Sequence, residues 1–338
     1  MTENYPSGKK NILILGGAGF IGSHLCDRLV QDNHVVCVDN FITSSPQNID
    51  HLLTNPNFEF IKHDITRAFD IEEYPELKKF DVSIQGFQEI YNLACPTSPK
   101  EYNKIPIETL ITNSLGSFNA LEIAKKFNAK FLHLSTSAIY GDLSDVDYVR
   151  EDNFGNVNPV GPRSCYNEGK RFAESLVINY HGKEGLDTKI ARIFNTFGPR
   201  MKIDDGRMIP DFVASALLKK DIVIYGSETE IGSYCYIDDT LDALVALMAS
   251  DYNGPVNVGS DQAISIADMA KKIINIVGSD SKIEFTEHLP YTAKQIIPNV
   301  ALAKSIIGWF PMVSLDVGLE KTIHDMKINI NEYQVKLS

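Results

Sequence analysis

The sequence predicts an α/β protein, a doubly wound parallel sheet followed by a smaller C-terminal α/β lobe, on three observations. Short apolar runs alternate with stretches of helical period through the first half of the chain. The first run ends in glycines spaced three apart, Gly16, Gly19 and Gly22, and opens directly into a helical pattern. The second run ends on an acid, Asp39. Such alternation enforces parallel pairing, because each connection must return over one face of the sheet.

In chain order, Asn11–Leu15 is the first strand, and Ile21, Leu25 and Leu29 mark one face of the helix after it. Val35–Val38, Phe58–Ile61, Glu89–Ala94 and Phe131–Leu134 are the next four strands. A long helix is expected over Pro106–Phe127, with Leu115, Phe118 and Leu121 on one side. Another helix follows Tyr166, and Lys189–Phe194 is a sixth strand. The segment Asp70–Gln88 is long for a connection and reads either as a surface excursion or as a short extra helix.

Residues 1–195 form the expected dinucleotide-binding domain. Residues 196–338 form mainly a substrate lobe, with the chain crossing between the two more than once. Helices are expected there near Met208–Leu218, Leu241–Met248 and Ile266–Ile276, with short strands such as Val223–Tyr225 and Val256–Val258.

Composition narrows the functions open to this chain. It has 338 residues, 43% hydrophobic and 22% charged, enough to bury a full core. Its net charge of −12 repels phosphate backbones and argues against a nucleic-acid partner. The five cysteines, Cys26, Cys37, Cys95, Cys165 and Cys235, are scattered and form no C-x-x-C pair. They read as reduced thiols with neither a disulfide framework nor a metal site. The first ten residues are polar and no window approaches 18 apolar residues, so neither a signal peptide nor a membrane span is expected. The expectation is a cytoplasmic protein.

The glycine turn carries the first chemistry. Gly16 would permit the tight turn, Gly19 would let backbone amides approach a pyrophosphate, and Gly22 would let helix pack on strand. Asp39 stands where a carboxylate accepts from an adenosine ribose and repels a 2′-phosphate, which selects NAD over NADP. Asp64, after the third strand, would meet the adenine edge. Phe20 and Ile21 in the turn, Asn40 and Ile65 beside the two acids, and Leu93 in the fourth strand complete the expected cofactor contacts.

The second chemistry is the pair Tyr166 and Lys170, one helical turn apart on one face. A phenol near pKa 10 is a poor base at neutral pH, and an adjacent ammonium stabilises its phenolate. A phenolate can take a proton from a sugar hydroxyl while hydride leaves the same carbon for NAD. Ser137 or Thr136, ending the fifth strand, would hold the same substrate oxygen, with Ser137 preferred.

Three further stretches are distinctive: Leu93-Ala-Cys-Pro-Thr-Ser-Pro99, Gly155 to Arg171, and Ala191 to Met201 followed by Asp205-Gly-Arg207. Through them, and from about Asn11 to His324, the chain resembles the extended short-chain dehydrogenase/reductases acting on nucleotide sugars. Among these it is most similar to the UDP-glucuronate decarboxylases (UDP-xylose synthases). The resemblance implies a tightly held NAD, reduced and reoxidised within one turnover, and a nucleotide-sugar substrate, UDP-linked. It implies homodimers joined through the helices near 106–127 and 166–180. It makes Tyr166 the base, Lys170 its partner and a nicotinamide-ribose ligand, and Ser137 or Thr136 the assisting hydroxyl. Thr97 would lie near the sugar, Asn195 at the diphosphate, and Arg200 and Arg207 with the substrate, Arg207 at its nucleotide end.

The chain departs from that family at three places. Ser137-Ala-Ile-Tyr-Gly141 puts Ala138 where the family carries Glu. Gly232 stands where the family carries Arg before an aromatic residue, and Ile296 where a second phosphate-binding Arg precedes a Pro-Asp pair. Losing a charge-assisted hydrogen bond costs about 1.5–3 kcal/mol, so either Arg200, Lys202 and Lys294 compensate or the substrate differs. The first reading is C4 oxidation of the UDP-glucuronate decarboxylase type. The alternatives are a C4 epimerase or simple 4-dehydrogenase, and, remotely, a silent NAD-binding protein.

Overall fold

The structure, a computed structural model, describes residues 8–70, 73–143, 148–203, 206–287 and 295–337, the stretch 331–337 for its backbone alone. Seven strands form the central sheet: β1 (Asn11–Leu15), β2 (His34–Asp39), β3 (Phe58–Lys62), β4 (Glu89–Asn92), β5 (Lys130–Thr136), β6 (Thr188–Ile193) and β7 (Pro255–Val258). Their order is β7-β6-β5-β4-β1-β2-β3, and every pairing is parallel. The order reverses between β1 and β4, which opens a crevice beyond their C-terminal ends.

The pleat explains the two cores. Ile12 and Ile14 of β1 face one side, with Leu25 and Leu29 of α1 (Phe20–Leu29) and Leu241 and Leu244 of α2 (Ile237–Ala249). Leu13 and Leu15 face the other, with Leu121 and Ala124 from the 106–127 stretch and Val177 of α3 (Ser164–Glu184). A sheet covered on both faces must be apolar throughout, and all five residues of β1 are buried.

Three expectations are refined. The stretch Pro106–Phe127 is helical but not uniform: Pro106–Ile111 and Ser117–Phe127 flank a π turn at Thr112–Gly116. In that wide turn Asn113 Nδ2 donates to Cys95 Sγ at 3.0 Å, close to the site described below. Among the described residues, the 70–88 segment contains a 3₁₀ turn at Pro75–Phe80 and a short helix at Val82–Gln85. Leu77, Phe80 and Val82 anchor it in the second core.

The sheet also draws on the second half of the chain, since β7 lies beyond residue 195. The rest of that half makes short strand pairs, among them Ile222–Tyr225 with Ile283–Thr286 and Ile231–Ser233 with Ala263–Ser265. Residues from this lobe and from the ends of β5 and β6 line one cavity.

Candidate active site

Two cavities meet over the switch point, and Phe20, Ile21, Leu93, Thr97 and Arg207 line both. The first contains all the expected cofactor residues other than Lys170: Gly16, Gly19, Phe20, Ile21, Gly22, Asp39, Asn40, Asp64, Ile65 and Leu93. The glycines are required sterically. Gly16 has φ +79°, and a Cβ there would lie 2.7 Å from the Ala94 backbone. A Cβ at Gly22 would overlap the Gly16 carbonyl. The cradle left beside the N-terminus of α1 therefore fits a pyrophosphate, which a side chain at either position would displace.

Asp39 is held for its task. One carboxylate oxygen accepts from Ala18 N at 3.0 Å, the other from Phe41 N at 2.8 Å and Ser44 Oγ at 2.7 Å. A carboxylate has about four acceptor sites, so capacity remains for a ribose hydroxyl. Asp64 is turned toward its own loop. Burial pushes its carboxyl up, but the Thr66 amide and hydroxyl and the Asn40 amide outweigh this and hold it below the usual range.

The second cavity contains Tyr166, Lys170, Thr136, Ser137, Ala138, Thr97, Asn195 and Arg207. Tyr166 and Lys170 lie on α3, with 7% and 2% of their surfaces exposed. Thr136 caps the short turn after β5: its Oγ1 accepts from Ala138 N at 3.2 Å, which leaves its hydrogen for the Tyr166 oxygen. Ser137 lies beside it on the same cavity wall, so both hydroxyls face the cavity that holds Tyr166.

Lys170 Nζ donates to the Leu134 carbonyl at 2.7 Å. Burial lowers the lysine and raises Tyr166 well above an ordinary phenol, against a lowering pull from Thr136 and Arg207. The protein alone thus holds Tyr166 as a neutral phenol. A positive charge in the adjoining cavity is needed to make it a base at neutral pH, and an oxidised nicotinamide ring carries that charge.

A buried brace fixes the helix bearing this pair. Glu174 of α3 takes Ser135 Oγ at 2.5 Å, Arg192 Nε at 3.0 Å and Arg192 Nη2 at 2.8 Å. Arg192 also donates to Tyr140, whose hydroxyl donates to Asn257 Oδ1 at 2.7 Å. Strands β5, β6 and β7 are thereby tied to α3.

The remaining sequence expectations divide. Thr97 Oγ1 accepts from Arg207 Nη2 at 2.6 Å, so those two stand together at the junction of the cavities. Arg200 stands apart. It lines the cofactor cavity only, and its guanidinium pairs with Asp27 at 2.6 Å while its amide donates to Asp325. It is expected with the substrate, and the structure places it on the wall of the first cavity, paired with the acid on α1. Lys202 also lines the cofactor cavity, and Lys294 lies outside the described residues. Ile296 packs with Ile139, Tyr140 and Phe194 in a small apolar cluster. Sequence reasoning missed Tyr102, Tyr234 and Gln295, none of which sits in a motif.

A parallel dinucleotide sheet whose crevice opens onto a buried tyrosine, a capped threonine and a lysine one turn on defines an NAD-dependent oxidoreductase site. The chain belongs to the NAD dependent epimerase/dehydratase family, whose profile matches residues 12–259. It is 42% identical over 331 residues to UDP-glucuronic acid decarboxylase 1 of Xenopus tropicalis, covering 96% of this chain and 75% of that one. It is 40% identical to UDP-glucuronic acid decarboxylase 6 of Arabidopsis thaliana, over 94% of this chain and 89% of that one. Among solved structures, the UDP-glucuronic acid 4-epimerase of Bacillus cereus in complex with NAD superposes with TM-score 0.80 at 29% identity, covering 95% and 99% of the chains. Thermotoga maritima UDP-glucose 4-epimerase with UDP-glucose gives 0.82 at 26%, covering 95% and 99%. Among the described residues no helix is long and apolar enough to cross a membrane.

Proposed function

We propose that this chain oxidises a UDP-linked sugar at C4, with Tyr166 as the base. The observation that carries this reading is that Tyr166, Lys170 and Thr136 line one cavity, which shares Phe20, Ile21, Leu93 and Arg207 with the cavity of the glycine turn. NAD, which the glycine turn and Asp39 would hold in the first cavity, would supply the hydride acceptor for that carbon. Tyr166 takes the hydroxyl proton, Thr136 holds the same oxygen, and Lys170 stabilises the phenolate and holds the nicotinamide ribose. Thr97 lies near the sugar, and Arg207, which donates to it, reaches toward the nucleotide end.

The fate of the 4-keto sugar is read two ways. Likeness to UDP-glucuronic acid decarboxylases favours loss of the C5 carboxylate, which the 4-keto group makes a β-keto acid. Ala138 favours the second, return of hydride to C4 without decarboxylation. Its methyl group, packed with Tyr102, Cys165 and Tyr166, can neither carry a proton nor polarise water. We propose also that the protein is a homodimer in a reducing cytoplasm. The 106–127 stretch and α3 leave Ile107, Leu110, Ile111, Phe118, Phe172 and Ile178 exposed, and the cysteines are free thiols.

The test is single-turnover mixing of the NAD-loaded protein with UDP-glucuronate, UDP-glucose and UDP-galactose, followed by product masses. Reduced-nicotinamide absorbance should appear with at least one sugar and fall by about 10³-fold in Tyr166→Phe, with NAD still bound. An unchanged rate in Tyr166→Phe would assign the base elsewhere.

A further inference from the structure

The brace behind Tyr166 and Lys170 extends beyond α3, and its polarity can be read from one side chain. Asn257, on β7 and fully buried, donates through Nδ2 to the Val149 carbonyl at 3.0 Å and the Asn299 carbonyl at 3.4 Å. Carbonyls only accept, so the amide has one orientation and its Oδ1 faces the Tyr140 hydroxyl. That hydroxyl donates to Asn257 at 2.7 Å, and its lone pair accepts from Arg192 Nη1 at 2.9 Å. The guanidinium keeps Nε and Nη2 for Glu174, which stands one helical turn beyond Lys170 and two beyond Tyr166.

The other end of these hydrogen bonds belongs to the second cavity. Asn299 N donates to the Val149 carbonyl at 2.8 Å, and Ile297–Pro298 pairs with Tyr148–Val149. Just before that pair, Gln295 and Ile296 line the cavity that holds Tyr166. Gln295 Oε1 accepts from Asn195 Nδ2 at 3.1 Å and from the Tyr234 hydroxyl at 3.2 Å, and Ile296 packs with Tyr140. Four side chains, Asn257, Tyr140, Arg192 and Glu174, thus join a wall of that cavity to the helix of Tyr166.

We propose that Tyr140 and Asn257 are positioning residues that hold α3 in register with the 295–299 wall. Both are fully buried and neither is among the residues lining the two cavities, so they act only through the brace. An enclosed polar network has few alternative arrangements, because any shift leaves a buried donor or acceptor unpaired. The wall and α3 therefore keep one relative placement, and a sugar seated against Gln295 meets Tyr166 at a set distance. This rests on the reading of Tyr166 as the base.

Single-turnover NAD reduction by the NAD-loaded protein with UDP-glucose, UDP-galactose and UDP-glucuronate tests this, with NAD content and Tm recorded for each variant. Tyr140→Phe keeps the ring and removes the hydroxyl. Asn257→Leu keeps the volume and removes both ends of the amide. Each should slow reduction at saturating sugar about tenfold, with the half-saturating sugar concentration changed less than threefold and NAD retained. A merely structural role would lower Tm and leave the saturating rate of the folded protein unmoved. The double variant should lie within about twofold of the slower single one, since both break the same chain. Unchanged saturating rates in both single variants, or losses that multiply in the double one, would each overturn the proposal while leaving C4 oxidation standing. No NAD reduction by the wild type with any of the three sugars would remove both.

Discussion

The ring of Tyr102 lies flat on the ring of Tyr166, with centroids 5.0 Å apart and planes within 5° of parallel. Tyr102 is fully buried, and its hydroxyl accepts from Arg163 Nε at 2.9 Å. The proposed base is thus clamped on its flat side by the last residue of the short helix Pro99–Tyr102. Orientation of this kind matters because proton transfer requires the acceptor within hydrogen-bond reach of the hydroxyl.

Removing that clamp should cost rate before it costs cofactor. Tyr102→Phe keeps the stack and should turn over within about threefold of the parent. Tyr102→Ala should lose 10- to 100-fold in kcat with NAD retained. Single-turnover NAD reduction in the two variants separates the ring from its hydroxyl.

The proposed role of Asp39 predicts a preference for NAD. Stripped protein titrated with NAD and NADP should show NAD tighter by about 100-fold, because the 2′-phosphate would face a carboxylate already fixed by three donors. Asp39→Ser should narrow the gap to about tenfold or less. It should also lower Tm, since the Ala18 and Phe41 amides lose their acceptor.

His133 predicts an acid limit to stability. It lies on β5 with 1% of its surface exposed, and burial, aided by the Lys170 charge, holds it well below the ordinary histidine range. The unfolded chain binds the proton first, so stability is complete above about pH 6.5 and declines as pH falls below that value. The decline approaches 1.4 kcal/mol per pH unit for this residue. Urea denaturation between pH 7.5 and 5 should show it, and His133→Gln should flatten the slope.

UDP-glucuronate should be decarboxylated slowly or not at all, because Ala138 supplies no acid and the place of an arginine is filled by an amide. Gly232→Arg alone would have to displace the Gln295 amide, which a Cβ at 232 would overlap. Ala138→Glu and Gly232→Arg combined with Gln295→Gly should raise release of labelled CO₂ on the order of 10²-fold. Rapid release by the parent would return plain decarboxylation to first place.

Much of this was legible because it depends on local period. β1, the glycine turn and Asp39 are separated by one strand–helix–strand unit, and Tyr166 and Lys170 by one helical turn, so spacing alone aligns them. Gln295 was not legible. It meets Gly232 and Asn195 only through tertiary packing of three segments, and a glycine in a sequence does not say what occupies the room it leaves. The pairing of Arg200 was not legible for a related reason: its motif places it near the site, but the partner, Asp27, comes from α1 through tertiary packing.

β7 has a consequence for how the molecule is made. Its partner β6 is buried along all six residues, and its outer edge is satisfied only by Pro255–Val258. Until residue 258 has been synthesised, a nascent chain carries an apolar strand with an open row of amides and carbonyls, a template for pairing with other chains. A fragment ending at 195 should therefore aggregate however complete its glycine turn. The nucleotide-binding half, first to be translated, is the last to close.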